Sequence, residues 1–219
     1  MIYGIIPVGG KGTRLGLPFP KEMLPQVGIN LYEPIINVVV NKMLEAGAEQ
    51  IYFVHGIAKK QLIVDYFCDS KYIHIEQSKE IFSMAIEDFY KVALPSESDK
   101  ILFGMGDTVF LDNPYVDMLQ ISGIVCGLFE SQDTEVTDRF FVHNKIFDVK
   151  QVKTVLNTNQ HWGILKFDSK DIQNIINSNL FEQYPEVGDI INKYSMSFVY
   201  GKGYIDIGTW KDFNRYVKL

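Results

Sequence analysis

Apolar residues in this chain alternate between short unbroken runs and stripes at helical spacing. Ile2 to Val8 is an apolar run ending at Gly9-Gly10 and predicts a buried strand. From Glu33 to Gly47 the positions Ile36, Val39, Val40, Met43 and Leu44 recur with the helical period, and Gly47 supplies a stop. Gln50 to His55 predicts the next strand, Ala58 to Phe67 a helix and Tyr72 to Glu76 a strand. Glu80 to Val92 carries Ile81, Met84, Ala85 and Phe89 on one helical face. Ile101 to Met105 is another buried strand, ending at Gly106-Asp107. Strand and helix alternating at these lengths predict a parallel sheet covered on both faces. Ligands of such sheets bind beyond the carboxyl ends of the strands. The segment from Gly9 to Lys21 and the acid Asp107 both fall there.

The second half is more mixed. Gly123 to Phe129, Arg139 to His143, Trp162 to Phe167 and Met196 to Tyr200 predict strands. Asp168-Ser169 opens a helix to Asn177, and Glu186 to Tyr194 and Thr209 to Tyr216 predict two more. No Ser- or Gly-rich linker and no internal repeat breaks the pattern, so a single domain over residues 1–219 is expected. The 47% hydrophobic and 22% charged content is an ordinary globular balance. A net charge of −6 with no basic run argues against a nucleic-acid surface. Pro7 and Gly9 interrupt the first apolar stretch, so neither a signal peptide nor a membrane span is expected there. Cys68 and Cys126 lack metal-ligand spacing and are expected as buried reduced thiols, which fits a cytoplasmic protein.

Gly9-Gly10-Lys11-Gly12-Thr13-Arg14-Leu15 directly follows the first strand. Glycines so placed let the backbone approach an anion closely, with amide groups pointing at it. Arg14 adds a guanidinium fork and Lys21 a movable point charge. A Walker-A loop would end in Gly-Lys-Ser/Thr, which is absent here. A dinucleotide-binding turn would place a third glycine where Leu15 stands and would open into a helix, against Pro18, Pro20 and Pro25. A plain glycine turn with surface cations remains open on the loop alone. Downstream, Asp107 in Met105-Gly106-Asp107-Thr108 and Asp206 in Tyr204-Ile205-Asp206-Ile207-Gly208-Thr209 are acids at sharp strand ends beside glycine. Hard oxygen ligands of that kind suit magnesium, although Asp206 could equally cap the helix near Thr209.

Gly-Gly-x-Gly-Thr-Arg-Leu, then Pro20-Lys21-Glu22-Met23-Leu24-Pro25, resembles the signature of the sugar nucleotidyltransferases, which include glucose-1-phosphate thymidylyl- and uridylyltransferases. The resemblance continues through Glu33-Pro34-Ile35-Ile36 and, more weakly, to the C-terminus. It implies an α/β fold, a Rossmann-like three-layer sandwich with a mostly parallel central sheet of the nucleotidyltransferase type. It implies a magnesium-dependent transfer from an NTP (dTTP, UTP or CTP) to a sugar 1-phosphate, releasing pyrophosphate and supplying activated sugar for surface polysaccharide. Carried onto this chain, Arg14, Lys21 and Asp107 are catalytic, and Asp107 and Asp206 hold magnesium. Gly9, Gly10, Gly12, Thr13 and Gln77 bind nucleotide; Lys153, Gly163 and Glu186 bind the acceptor. No nucleic acid or membrane is expected as a partner, and oligomerisation is open.

This chain departs from the family pattern in places. Lys153 is flanked by Val152 and Thr154 where the family has glutamate and proline. Ile81-Phe82-Ser83-Met84 replaces a glycine-containing stretch after Gln77, and Phe140-Phe141 replaces Tyr-Gly. Glu186 could be a helix cap instead of a sugar ligand, and Lys153 a solvated strand residue. The departures gather on the base and sugar pockets. Two further possibilities therefore stand: a cytidylyltransferase acting on a non-hexose phosphate, and a non-catalytic nucleotide-binding module. His55, His74, His143 and His161 show no ligand spacing and are expected to be structural or exposed.

Overall fold

The computed structural model describes residues 1–8, 10, 14–27, 33–56, 60–79, 84–130, 139–142, 145–148, 160–184 and 186–218. In chain order they form β1 (Ile2–Pro7), a 3-10 turn (Lys21–Met23), α1 (Ile36–Glu45), β2 (Gln50–His55), α2 (Gln61–Tyr66), β3 (Tyr72–Glu76), α3 (Met84–Ala93) and β4 (Lys100–Gly104). Then come β5 (Thr108–Val109), α4 (Pro114–Met118), β6 (Ile124–Glu130), β7 (Arg139–Val142), β8 (Lys145–Asp148) and β9 (Gln160–Asp168). The chain continues through α5 (Ser169–Asn177), α6 (Leu180–Gln183), α7 (Val187–Ile191), β10 (Met196–Gly201), β11 (Ile205–Asp206) and α8 (Trp210–Tyr216).

Seven strands form one sheet in the order β10-β6-β9-β4-β1-β2-β3. β3, β2, β1 and β4 are mutually parallel, as are β6 and β10, while β9 runs antiparallel to both neighbours. The expected mostly parallel α/β sheet is therefore present, with one reversed strand near its centre. A buried apolar run has the same composition in either direction, so sequence pattern cannot reveal that reversal.

Successive residues of a strand point to opposite faces, and each face here is covered. Tyr3 and Ile5 of β1, Tyr52 and Val54 of β2 and Phe103 of β4 pack with α3, α5 and α7. Ile6, Ile51, Phe53 and Leu102 pack instead with α1, α2 and α4. This is the three-layer sandwich. A third, smaller core lies outside it, where Leu15, Leu24 and Ile35 meet Val109, Ile205, Ile207 and Tyr216. Cys126 is buried, but Cys68 is exposed just beyond α2, so only one of the two thiols sits where the apolar runs placed it. Among the described residues no helix is long and apolar enough to cross a membrane.

Candidate active site

From β1 the chain steps to β2 and β3 on one side, then returns to β4 on the other. The strand order thus reverses between β1 and β4, and ligands of such sheets bind in the crevice at that point. Both strands end there in loops. After β1, Pro20 (φ −59°) leads into the 3-10 turn, closed by Met23 N–H to Pro20 O at 3.0 Å and Leu24 N–H to Lys21 O at 3.0 Å. This turn directs the Lys21 side chain back over the strand tips, where its ammonium pairs with the Asp107 carboxylate.

Asp107 follows β4 in a tight turn in which the Thr108 hydroxyl donates to Met105 O at 2.8 Å. β5 then pairs antiparallel with β11, so that Asp206 stands opposite Thr108, and Ile207 N–H donates to Asp107 O at 2.9 Å. Two acids almost a hundred residues apart in sequence are thereby brought to the same strand tips, where both act on Lys21. Asp107 is 4% exposed and Asp206 half-buried.

A third carboxylate joins them. Glu22 is 3% exposed, and its Cγ lies beneath Gly106, 3.1 Å from where a Cβ would stand. Burial opposes the charge on Lys21, but Asp107, Asp206 and Glu22 outweigh it and raise the ammonium's pKa, so Lys21 stays protonated throughout the physiological range. Among the described residues, one lysine faces three carboxylates. Such a cluster has room, in charge terms, for a divalent cation. Magnesium takes one or two protein carboxylates and completes its shell with water and substrate phosphates. The described residues include no cluster of three or more candidate metal ligands. Asp107 and Asp206 are two acids that could hold such an ion.

Two described residues of the glycine loop, Gly10 and Arg14, lie nearby. Gly10 adjoins the Lys21 stem, 3.9 Å from Cε to a would-be Cβ. Arg14 is exposed, with its guanidinium over Gly208, 3.6 Å from a would-be Cβ there. Asp206 does not cap the following helix. Thr209 does, in a capping box with Asp212 that accepts from Asp212 N–H and returns Thr209 N–H to the Asp212 carboxylate at 2.7 Å. The alternative use of Asp206 is thus already taken by another residue.

Gln77 follows β3 half-buried, its N–H donating to His55 O at 2.8 Å. Gly163 sits in β9 at an irregularity in its pairing with β6, and a side chain there would collide with the Tyr204 ring. The close approach that demands glycine at 163 is therefore to Tyr204. Glu186 occupies the N-cap position of α7 without a side-chain capping hydrogen bond. Gly9, Gly12, Thr13 and Lys153 lie outside the described residues. Residues the sequence pattern did not single out are Glu22, Trp210 and Tyr216. Glu22 was visible only as a charge inside a proline-rich motif. Trp210 and Tyr216 act from the far end of the chain, and no local signal marks them.

No family model matches the chain. It is 48% identical over 67 residues to a protein of Methanocaldococcus jannaschii assigned as a UTP–glucose-1-phosphate uridylyltransferase. That match covers 29% of this chain and 22% of the relative, so it spans well under a third of the curated protein. Among solved structures, a protein of Bacillus anthracis assigned as a glucose-1-phosphate thymidylyltransferase, in complex with sucrose, superposes with a TM-score of 0.78 at 21% identity. The superposition covers 100% of this chain and 94% of that one. A UDP-glucose pyrophosphorylase complexed with UDP-glucose gives a TM-score of 0.75 at 18% identity, covering 100% and 98%. The chain resembles the sugar nucleotidyltransferases in sequence and has their fold.

Proposed function

We propose that this protein is a magnesium-dependent sugar-1-phosphate nucleotidyltransferase, forming an NDP-sugar from an NTP and a sugar 1-phosphate with release of pyrophosphate. The observation that carries this is the convergence of Lys21, Asp107 and Asp206 at the strand tips where the sheet order reverses. The partial match to a protein assigned as a uridylyltransferase, and the fold shared with a pyrophosphorylase that holds UDP-glucose, agree with it.

The reaction is in-line attack by an acceptor phosphate oxygen on the α-phosphorus, breaking the bond to the bridging oxygen of the pyrophosphate. The acceptor's second pKa is about 6, so near neutrality it arrives largely ionised and needs no general base. Its obstacle is electrostatic, since two anions must meet and charge builds on the leaving group. Catalysis of this kind rests on positioning and charge neutralisation. Lys21, held protonated by its carboxylate neighbours, offers a fixed positive charge to the reacting phosphates. Arg14, exposed beside the start of α8, is placed to meet the departing pyrophosphate. Asp107 and Asp206 would hold magnesium, which would supply Lewis-acid stabilisation of the phosphate charge. Paired with Asp107 at the strand tips, the Lys21 ammonium is positioned to meet substrate phosphate.

The test is pyrophosphate release across NTPs paired with sugar 1-phosphates, with and without magnesium. We expect release that requires both an acceptor and the ion. Asp107→Asn should lower kcat by roughly a hundredfold, about 3 kcal/mol of transition-state stabilisation. Near-normal turnover in that variant would remove Asp107 from the mechanism. Activity without any acceptor would point to hydrolysis instead.

A further inference from the structure

We propose that Trp210 and Tyr216 of α8 are positioning residues that clasp the phosphate-handling segment 14–27 at both ends. This rests on the nucleotidyltransferase function above. Segment 14–27 holds one 3-10 turn and one isolated bridge, Pro25 to Pro34, as its regular structure. Its main-chain polar groups must therefore find partners elsewhere. Two partners come from α8. The Trp210 indole N–H donates to Leu15 O at 3.0 Å, and Val27 N–H donates to the Tyr216 hydroxyl at 3.1 Å. The first fastens the residue after Arg14, and the second fastens the far end beyond Lys21.

Apolar packing reinforces both ties. Leu15 and Leu24 share a core with Ile205, Ile207 and Tyr216, with Leu17, Phe19, Val27 and Phe213 against it. The direction of α8 is itself fixed by the Thr209–Asp212 capping box. The same stretch carries Asp206 in β11. One mount thus sets the carboxylate for the metal and the cations for the triphosphate. A shift of α8 would move both together, whereas loss of the two hydrogen bonds would release the cations alone.

Tyr216→Phe deletes one polar contact while keeping the ring, and Trp210→Phe deletes the indole donor while keeping a smaller aromatic ring. Measurements on the full chain are the exchange rate of the Val27 amide by NMR, thermal melting, and the KM for each substrate in the pyrophosphate assay. In Tyr216→Phe the Val27 amide should exchange at least about tenfold faster. In the double variant the KM for NTP should rise about fivefold or more, with the acceptor KM and the melting temperature nearly unchanged. Unaltered Val27 exchange, or both KM values rising in step with a lowered melting temperature, overturns the clasp. An unaltered protein that releases no pyrophosphate from any pair overturns the nucleotidyltransferase function, and the Val27 exchange then decides the clasp by itself.

Discussion

Each end of the central sheet buries a lysine against an aspartate, and the two pairs are built for opposite ends. At the amino ends of the parallel strands, Lys166 is 0% exposed and donates to Ile121 O at 2.7 Å, Gly123 O at 3.2 Å and Asp168 Oδ1 at 2.5 Å. An ammonium has three donors, and all are used. Asp168 in turn accepts from Gly123 N–H at 2.6 Å. Lys100 and Asp171 add one further charge of each sign nearby, and every donor of Lys166 is spent on a protein acceptor. At the carboxyl ends, Lys21 pairs with Asp107 while Asp206 and Glu22 add negative charge around it. There the proposed function would bring a divalent cation and substrate phosphates up to the pair. Lys166 is fully buried with every donor spent, whereas Lys21 keeps some exposure at the mouth of the proposed site.

The largest effect expected from this contrast is on stability at the closed end. Lys166→Met should cost about 3 kcal/mol of folding free energy, because it leaves two carbonyls without their donor and the half-buried Asp168 without its ion-pair partner. Turnover of the folded protein should stay near normal, since the substitution lies at the opposite end of the sheet from the crevice. Chemical denaturation and the pyrophosphate assay check the two halves separately. A folded Lys166→Met protein of normal stability with lost activity would erase the distinction between the two lysines.

What was legible beforehand follows the same divide between local and distant. The Gly9–Lys21 loop and Gly106-Asp107 announced themselves because each is a contiguous motif at the end of an apolar run. That Asp206 meets Asp107 could be read only through family resemblance. The ladder that joins them is two residues long on each side, Thr108–Val109 with Ile205–Asp206, too short to leave a periodic signal. Lys166 is one polar residue inside an apolar strand; two of its three acceptors come from a loop some forty residues away and the third from Asp168, two residues on. Glu22 gave no hint of burial, since its neighbours Lys21 and Pro20 suggest an exposed turn. The helix ends were read to within a few residues, and the Thr209-x-x-Asp212 box was present in the sequence to be seen.

A second way to probe the carboxyl ends uses a group that resists charge. His74 Nε2 lies 2.8 Å from Phe67 O, which can only accept, so His74 carries its proton on Nε2. His74 Nδ1 then accepts from His55 Nε2–H at 2.8 Å. His55 Nδ1 is left as a bare, buried acceptor. Burial, then His74 and Lys60, push His55 down to about 4 from 6.5, with Glu76 partly offsetting them. A depressed histidine makes the unfolded chain bind more protons, so stability is intact above pH 6.5 and is lost as pH falls towards 4. By pH 5 the loss from this residue should be about 2 kcal/mol. His55→Gln keeps a donor towards His74 and cannot titrate. Its denaturation midpoint should fall less steeply than that of the unaltered protein between pH 7 and 5; identical slopes would show that His55 is protonated without penalty.

The smallest effect is the most discriminating, because it concerns sign. Asp206→Asn removes one of the negative charges crowding Lys21 and leaves the Asp107 pair intact. Without magnesium, folding stability should be unchanged or rise by up to about 1 kcal/mol, as relief of a site held for function. Activity should fall with it, and added magnesium should no longer raise the melting temperature. Asp168→Asn makes the same chemical change at the other end of the sheet, where charges already balance, and should lower stability because Lys166 loses its counter-ion. Melting curves of the two variants, each with and without magnesium, set the two ends side by side. If Asp206→Asn destabilises as much as Asp168→Asn does, the carboxyl-end cluster is a structural network like the amino-end one, and the gathering of carboxylates around Lys21 has no functional meaning.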